Sequence, residues 1–144
     1  MTTTGQIKIA RLLMVEDDPE REKIIRSWLP QDFRLIVAAS AGRARGVLRR
    51  DRGRVYAGIM LDLDLQIQAV HETEQSMSGR DVALDIRHNI DRSVPILVVH
   101  SMNPRAGSVV EQLEQAGFSV TRIPMEQLTR EQFEEWLAEV RDNL

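Results

Sequence analysis

At 144 residues the chain has the length of one ordinary domain, enough to bury a core without disulfides or a structural metal. It contains no cysteine, which excludes disulfide frameworks, thiolate zinc sites and cysteine nucleophiles together. A formal charge of −3 argues against wrapping nucleic acid with the whole surface, no apolar run approaches a membrane span, and Met1 to Gly5 lacks a basic-then-apolar leader; the expectation is one soluble, cytoplasmic domain over residues 1–144.

Short β-rich apolar runs alternate with longer helical patterns, which predicts parallel strands joined by crossover helices in an α/β fold. Ile9 to Val15 is the first strand, followed by Glu16-Asp17-Asp18-Pro19, where Asp18 can cap a helix and Pro19 suits its first turn. That helix is expected to carry Ile24, Ile25 and Trp28 inward and to stop at Leu29-Pro30. Phe33 to Ala38 reads as the second strand, and Ser40 as the cap of a helix with Ala44, Val47 and Leu48 on its inner face, closed by Arg52-Gly53. Arg43, Arg45, Arg49, Arg50, Arg52 and Arg54 cluster here, and we read them as a solvated helix face and turn rather than a docking surface for an acidic partner.

Tyr56 to Leu63 is nearly all apolar up to Asp62, as expected of a central strand covered on both faces. From Asp64 to Ser78 the residues are mixed and poorly periodic, longer than the usual connection, which points to a functional loop acting as a lid or a docking element. Gly79 starts a helix with Val82, Ala83, Leu84 and Ile86 as its apolar positions, and Pro95 to Val99 is the fourth strand. His100-Ser101-Met102-Asn103-Pro104 follows, with Asn103 and Pro104 as cap and first turn of a helix carrying Val109, Val110, Leu113 and Ala116. That helix ends at Gly117. Phe118 to Ile123 is the fifth strand, and Thr129 with Gln132 forms a capping-box start for the last helix.

In an open parallel sheet, ligands bind at the carboxyl ends of the strands. Those ends carry Glu16 and Asp17, Asp62 and Asp64, and His100 and Ser101. Carboxylates gathered at one edge repel one another, so they either raise a pKa or hold a hard cation such as Mg²⁺, which prefers oxygen ligands; the cation is the simpler solution. His71 and His88 read as solvated, and Met14, Met60 and Trp28 as core.

Leu12-Leu13-Met14-Val15-Glu16-Asp17-Asp18-Pro19 resembles the first-strand motif of response-regulator receiver domains. Gly58 to Asp64 resembles the strand bearing the phosphorylated aspartate, Ser78-Gly79-Arg80-Asp81 the glycine turn before the third helix, and Val94 to Val99 the fourth strand. The resemblance spans almost the whole chain. It implies a three-layer, flavodoxin-like (βα)5 doubly wound sheet of order 2-1-3-4-5. It also implies Asp62 as phosphoacceptor, Glu16 and Asp17 as the acidic pair holding Mg²⁺, and a backbone carbonyl from Asp64 on the same metal. A histidine kinase or another signalling protein would be the partner, with no output domain in the chain and a homodimer allowed.

Two positions depart from that pattern. The lysine expected before the proline after the fifth strand is Ile123; Arg122 beside it points to the opposite face unless the strand bends, and the only lysines are Lys8 and Lys23. The hydroxyl residue expected at the end of the fourth strand is His100, followed by Ser101. His100 to Pro104, with the long loop after Asp64, resembles a divergent receiver branch that binds or processes cyclic phosphates. There His100 would act as acid or base, and Ser101 and the backbone N–H groups opening the helix at Asn103 would hold the phosphate of an ester to be hydrolysed. A third reading is a receiver-like protein-interaction module without phosphorylation, argued from Ile123.

Overall fold

Parallel pairing of five strands sets the architecture, and the computed structural model describes it over residues 9–63, 79–100 and 106–144. In chain order the elements are β1 (Ala10–Val15), α1 (Pro19–Trp28), β2 (Phe33–Ala38), α2 (Ala41–Arg50), β3 (Gly58–Asp62), α3 (Gly79–Asn89), β4 (Ile96–His100), α4 (Ala106–Gln115), β5 (Val120–Pro124) and α5 (Arg130–Asp142). The sheet order is β2-β1-β3-β4-β5 with every pair parallel, which is the expected doubly wound α/β fold. Among the described residues, no helix is long and apolar enough to cross a membrane.

Side chains alternate across the sheet and build one apolar layer on each face. Leu13, Val15, Ile59, Leu61, Ile96 and Val98 face one way, under Leu48 of α2, Ile86 of α3 and Leu113 of α4. Leu12, Met14, Met60, Leu97, Val99 and Ile123 face the other way, under Ile25 of α1 and Phe133, Trp136 and Val140 of α5. Met14 and Met60 are core, as expected, and Trp28 packs partly buried against the second layer with its ring 6.0 Å from that of Phe133.

The expected caps are in place. Asp18 accepts from the Glu20 N–H at 3.0 Å with Pro19 beginning α1, Ser40 accepts from the Arg43 N–H, and Thr129 and Gln132 form a reciprocal capping box. Gly117, at φ 103°, closes α4 in the left-handed region. The Asn103-Pro104 cap lies outside the described residues.

Three expectations are corrected. Ile24 is 47% exposed, because Arg21, Ile25 and Trp28, four and three residues apart, form the inner stripe of α1 and leave Ile24 about 100° round the helix. On α3, Leu84 is only partly buried, while Asp85 is buried and accepts from Arg45 of α2 at 2.8 Å, so an ion pair holds two helices together. The third strand begins at Gly58 rather than Tyr56; the Ala57 N–H already donates to the Arg11 carbonyl of β1, and the Tyr56 hydroxyl donates to Asp51 at 2.5 Å. Of the arginine cluster, Arg45, Arg49 and Arg50 lie in ion pairs, Arg52 donates to the Arg49 carbonyl and Arg54 to that of Asn143. Arg43, Arg49, Arg50, Arg52 and Arg54 are exposed, while Arg45 is partly buried against Asp85 of α3.

Two measurements check this packing. A Cβ on Gly58 would lie 2.9 Å from both Trp136 and Val140 and 3.1 Å from Leu12, so Gly58→Ala is expected to destabilise the fold by about 1–3 kcal/mol in urea unfolding. Tyr56 is the only tyrosine, and burial followed by its bond to the Asp51 carboxylate pushes its hydroxyl up to about 12. Tyrosinate absorbance should therefore titrate with a midpoint near 12 in the folded protein. A pKa raised above the unfolded value contributes stability that is complete below pH about 10 and is lost as pH rises through about 12.

Candidate functional site

Register brings the acids together. Val15 pairs with Leu61 across β1 and β3, so Glu16 leaves β1 beside the end of β3, where Asp62 stands. Among the described residues, one group has the side chains to hold a metal ion: Glu16, Asp17 and Asp62, each offering an oxygen within 4.8 Å of the others. Glu16 and Asp62 are buried, and Asp17 is half-buried. Glu16 Oε2 accepts from the Asp17 N–H at 3.1 Å and from that of Asp18 at 3.4 Å, which fixes the carboxylate against the turn into α1.

Burial, and then the neighbouring charge of Glu16, push the Asp17 carboxyl above the usual carboxylate range, and its own backbone N–H offsets this only in part. Asp17 Oδ2 is buried and has no hydrogen-bond partner among the described residues. A buried acceptor oxygen beside two further hard oxygen donors fits a divalent cation of the Mg²⁺ type.

The sequence reading missed a fourth member of the pocket. Arg21, from the first turn of α1, places Nη1 2.9 Å from Glu16 Oε1 and 3.4 Å from Asp62 Oδ2. Burial works against its charge, but its hydrogen bond to Glu16 and the attraction of Glu16 and Asp62 outweigh that and keep the guanidinium protonated. The signal was present: a charged residue four positions before buried Ile25 lies on the inner face of an amphipathic helix, where an unpaired charge is costly.

The departures from the expected pattern sort onto opposite faces. Asp62 pairs in register with Val99 and Val99 with Ile123, and Val99 and Ile123 belong to the apolar layer beneath α1 and α5. His100 and Arg122 have the other parity, and Arg122 Nε donates to His100 Nε2 at 3.0 Å. An arginine can only donate, so Nε2 is the acceptor in this pair. Arg122 therefore points away from Ile123, as strand alternation predicts, and does not stand in for the lysine. His88 is exposed, as expected. Asp64, Ser101, Asn103 and His71 lie outside the described residues.

No protein-family model and no curated protein matches the sequence. Solved structures do. The receiver domain of a sensor histidine kinase from Pseudomonas aeruginosa PAO1, with a magnesium ion coordinated in its active-site cleft, superposes with a TM-score of 0.66 at 20% identity over 92% of this chain and 98% of that one. The signal receiver domain of a LuxO repressor protein from Vibrio parahaemolyticus gives 0.69 at 18% identity, over 94% and 92% of the two chains. A CheY-like receiver domain from Methanospirillum hungatei gives 0.68 at 14%, over 94% and 96%. The chain has the receiver-domain fold.

The crowding of Asp17 against Glu16 gives a direct test. Asp17→Asn removes one of the repelling charges, so in metal-free buffer its Tm should rise by about 2–4 °C, while any rise in Tm that Mg²⁺ gives the parent protein should vanish. Differential scanning calorimetry with EDTA and with Mg²⁺ reads both effects.

Proposed function

We propose that this chain is a signalling module that accepts a phosphoryl group on Asp62 from a histidine kinase or another phosphodonor and acts by changing which protein it binds. The observation that carries the reading is Asp62 at the carboxyl end of the central strand, with Glu16 and Asp17 within 4.8 Å, on a receiver fold. An Asp62 oxygen attacks phosphorus in line with the bond to the donor; the new O–P bond forms as that bond breaks, and its electron pair leaves with the donor's acetate or imidazole. Glu16, Asp17 and Asp62, with the backbone carbonyl of Asp64, would hold Mg²⁺, whose charge offsets that of the phosphoryl oxygens. Glu16, fixed by two backbone N–H groups, keeps its carboxylate aimed at the pocket. On this reading the module works in the cytoplasm.

The second reading, binding or hydrolysis of a cyclic phosphate through His100, Ser101 and Asn103, has one observation in its favour: a histidine and an arginine, 3.0 Å apart, at the ligand edge of the sheet. Against it, Nε2 of His100 is already engaged by Arg122, and strand alternation turns His100 to the face opposite Asp62. The phosphoacceptor reading uses residues that converge. Incubation with acetyl phosphate and Mg²⁺ is expected to add one phosphoryl group by intact-protein mass spectrometry, absent in Asp62→Asn and retained in His100→Ala. Labelling that survives Asp62→Asn would sink the assignment.

A further inference from the structure

Three carboxylates within 4.8 Å need a positive partner before a doubly charged phosphoryl group can join them. The position from which the receiver resemblance expects a lysine is Ile123, only 6% exposed and packed in the apolar layer with Leu97, Val99 and Phe133. The neighbouring cation, Arg122, is turned to the other face and bonded to His100. Lys23 is 73% exposed and paired with Glu20 on the outer side of α1. Arg21 alone of these enters the pocket: Nη1 bridges Glu16 Oε1 at 2.9 Å and Asp62 Oδ2 at 3.4 Å. Its side chain is 27% exposed, so it runs from the surface inward over the first turn of α1, one helical turn before buried Ile25.

We infer that Arg21 is the cation that neutralises Asp62 and receives the phosphoryl oxygens, reaching the pocket from α1 in place of a side chain from β5. The inference rests on the phosphoacceptor reading above. A guanidinium suits the task because its planar fork of N–H donors can keep one bond to Glu16 while turning another to a phosphoryl oxygen, and it stays charged at any working pH. As the O–P bond to Asp62 forms and the donor bond breaks, Arg21 stabilises the charge on the transferring oxygens without gaining or losing a proton. Because Arg21 bears on the same acids that would hold the metal, it has two opposed effects. It weakens cation binding by adding positive charge, and it strengthens phosphoryl binding by the same charge.

Those opposed signs make the test. The parent chain, Arg21→Gln and Arg21→Lys are titrated with Mg²⁺ alone by calorimetry, and with beryllofluoride at saturating Mg²⁺ by ¹⁹F NMR. Arg21→Gln is expected to weaken beryllofluoride binding by about tenfold or more, the worth of a charge-assisted hydrogen bond, while Mg²⁺ binding is kept or tightened by about threefold. Arg21→Lys is expected to recover most of the beryllofluoride affinity. Unchanged beryllofluoride binding in Arg21→Gln overturns the inference alone. So does a parallel loss of both ligands, which marks a structural role. A parent protein that takes up no beryllofluoride overturns the phosphoacceptor reading, and the inference with it.

Discussion

The pairing of β1 with β3 is the constraint on which the rest of the site depends. From Leu12 to Val15 and from Gly58 to Asp62 every residue is buried, so each strand is covered on both sides and its register is held by two apolar layers at once. Slipping either strand by one residue would exchange its side chains between the two layers and break the packing of both. With Val15 held opposite Leu61, Glu16 and Asp62 must emerge side by side. The acids meet because the apolar residues before them have no other place to go.

Bringing them together carries an electrostatic cost, and the molecule meets it locally. Glu16 is anchored by backbone N–H groups and by Arg21, Arg21 reaches on to Asp62, and Asp17 keeps a buried oxygen without a partner among the described residues. The charge is thus partly balanced and partly left open. The same logic operates elsewhere with a different outcome: Asp85 is buried, but Arg45 closes on it at 2.8 Å and the pair serves only to join α2 to α3.

Strand alternation separates two chemistries that sit close together in the sequence. Ile123 and Arg122 are neighbours, yet one fills the layer beneath α5 and the other pairs with His100 on the far side of the sheet. An arginine next to the expected lysine position is therefore no substitute for it, while an arginine more than a hundred residues away along the chain, on α1, reaches the acid directly. Position relative to the sheet plane decides which cation matters.

The alternation of apolar runs and helical patterns, the Asp18-Pro19, Ser40 and Thr129-Gln132 caps, and the acids following β1 and β3 were all legible in the sequence, because each depends on residues within a few positions of one another. These local signals determined the fold class, the strand order through the receiver resemblance, and the candidacy of Glu16, Asp17 and Asp62. The inward turn of Arg21, the exposure of Ile24, the Asp85–Arg45 pair and the engagement of His100 by Arg122 were decided by tertiary structure. Each joins residues on different elements or depends on which side of a helix the sheet occupies, and a linear pattern records the periodicity of a face but not what that face meets.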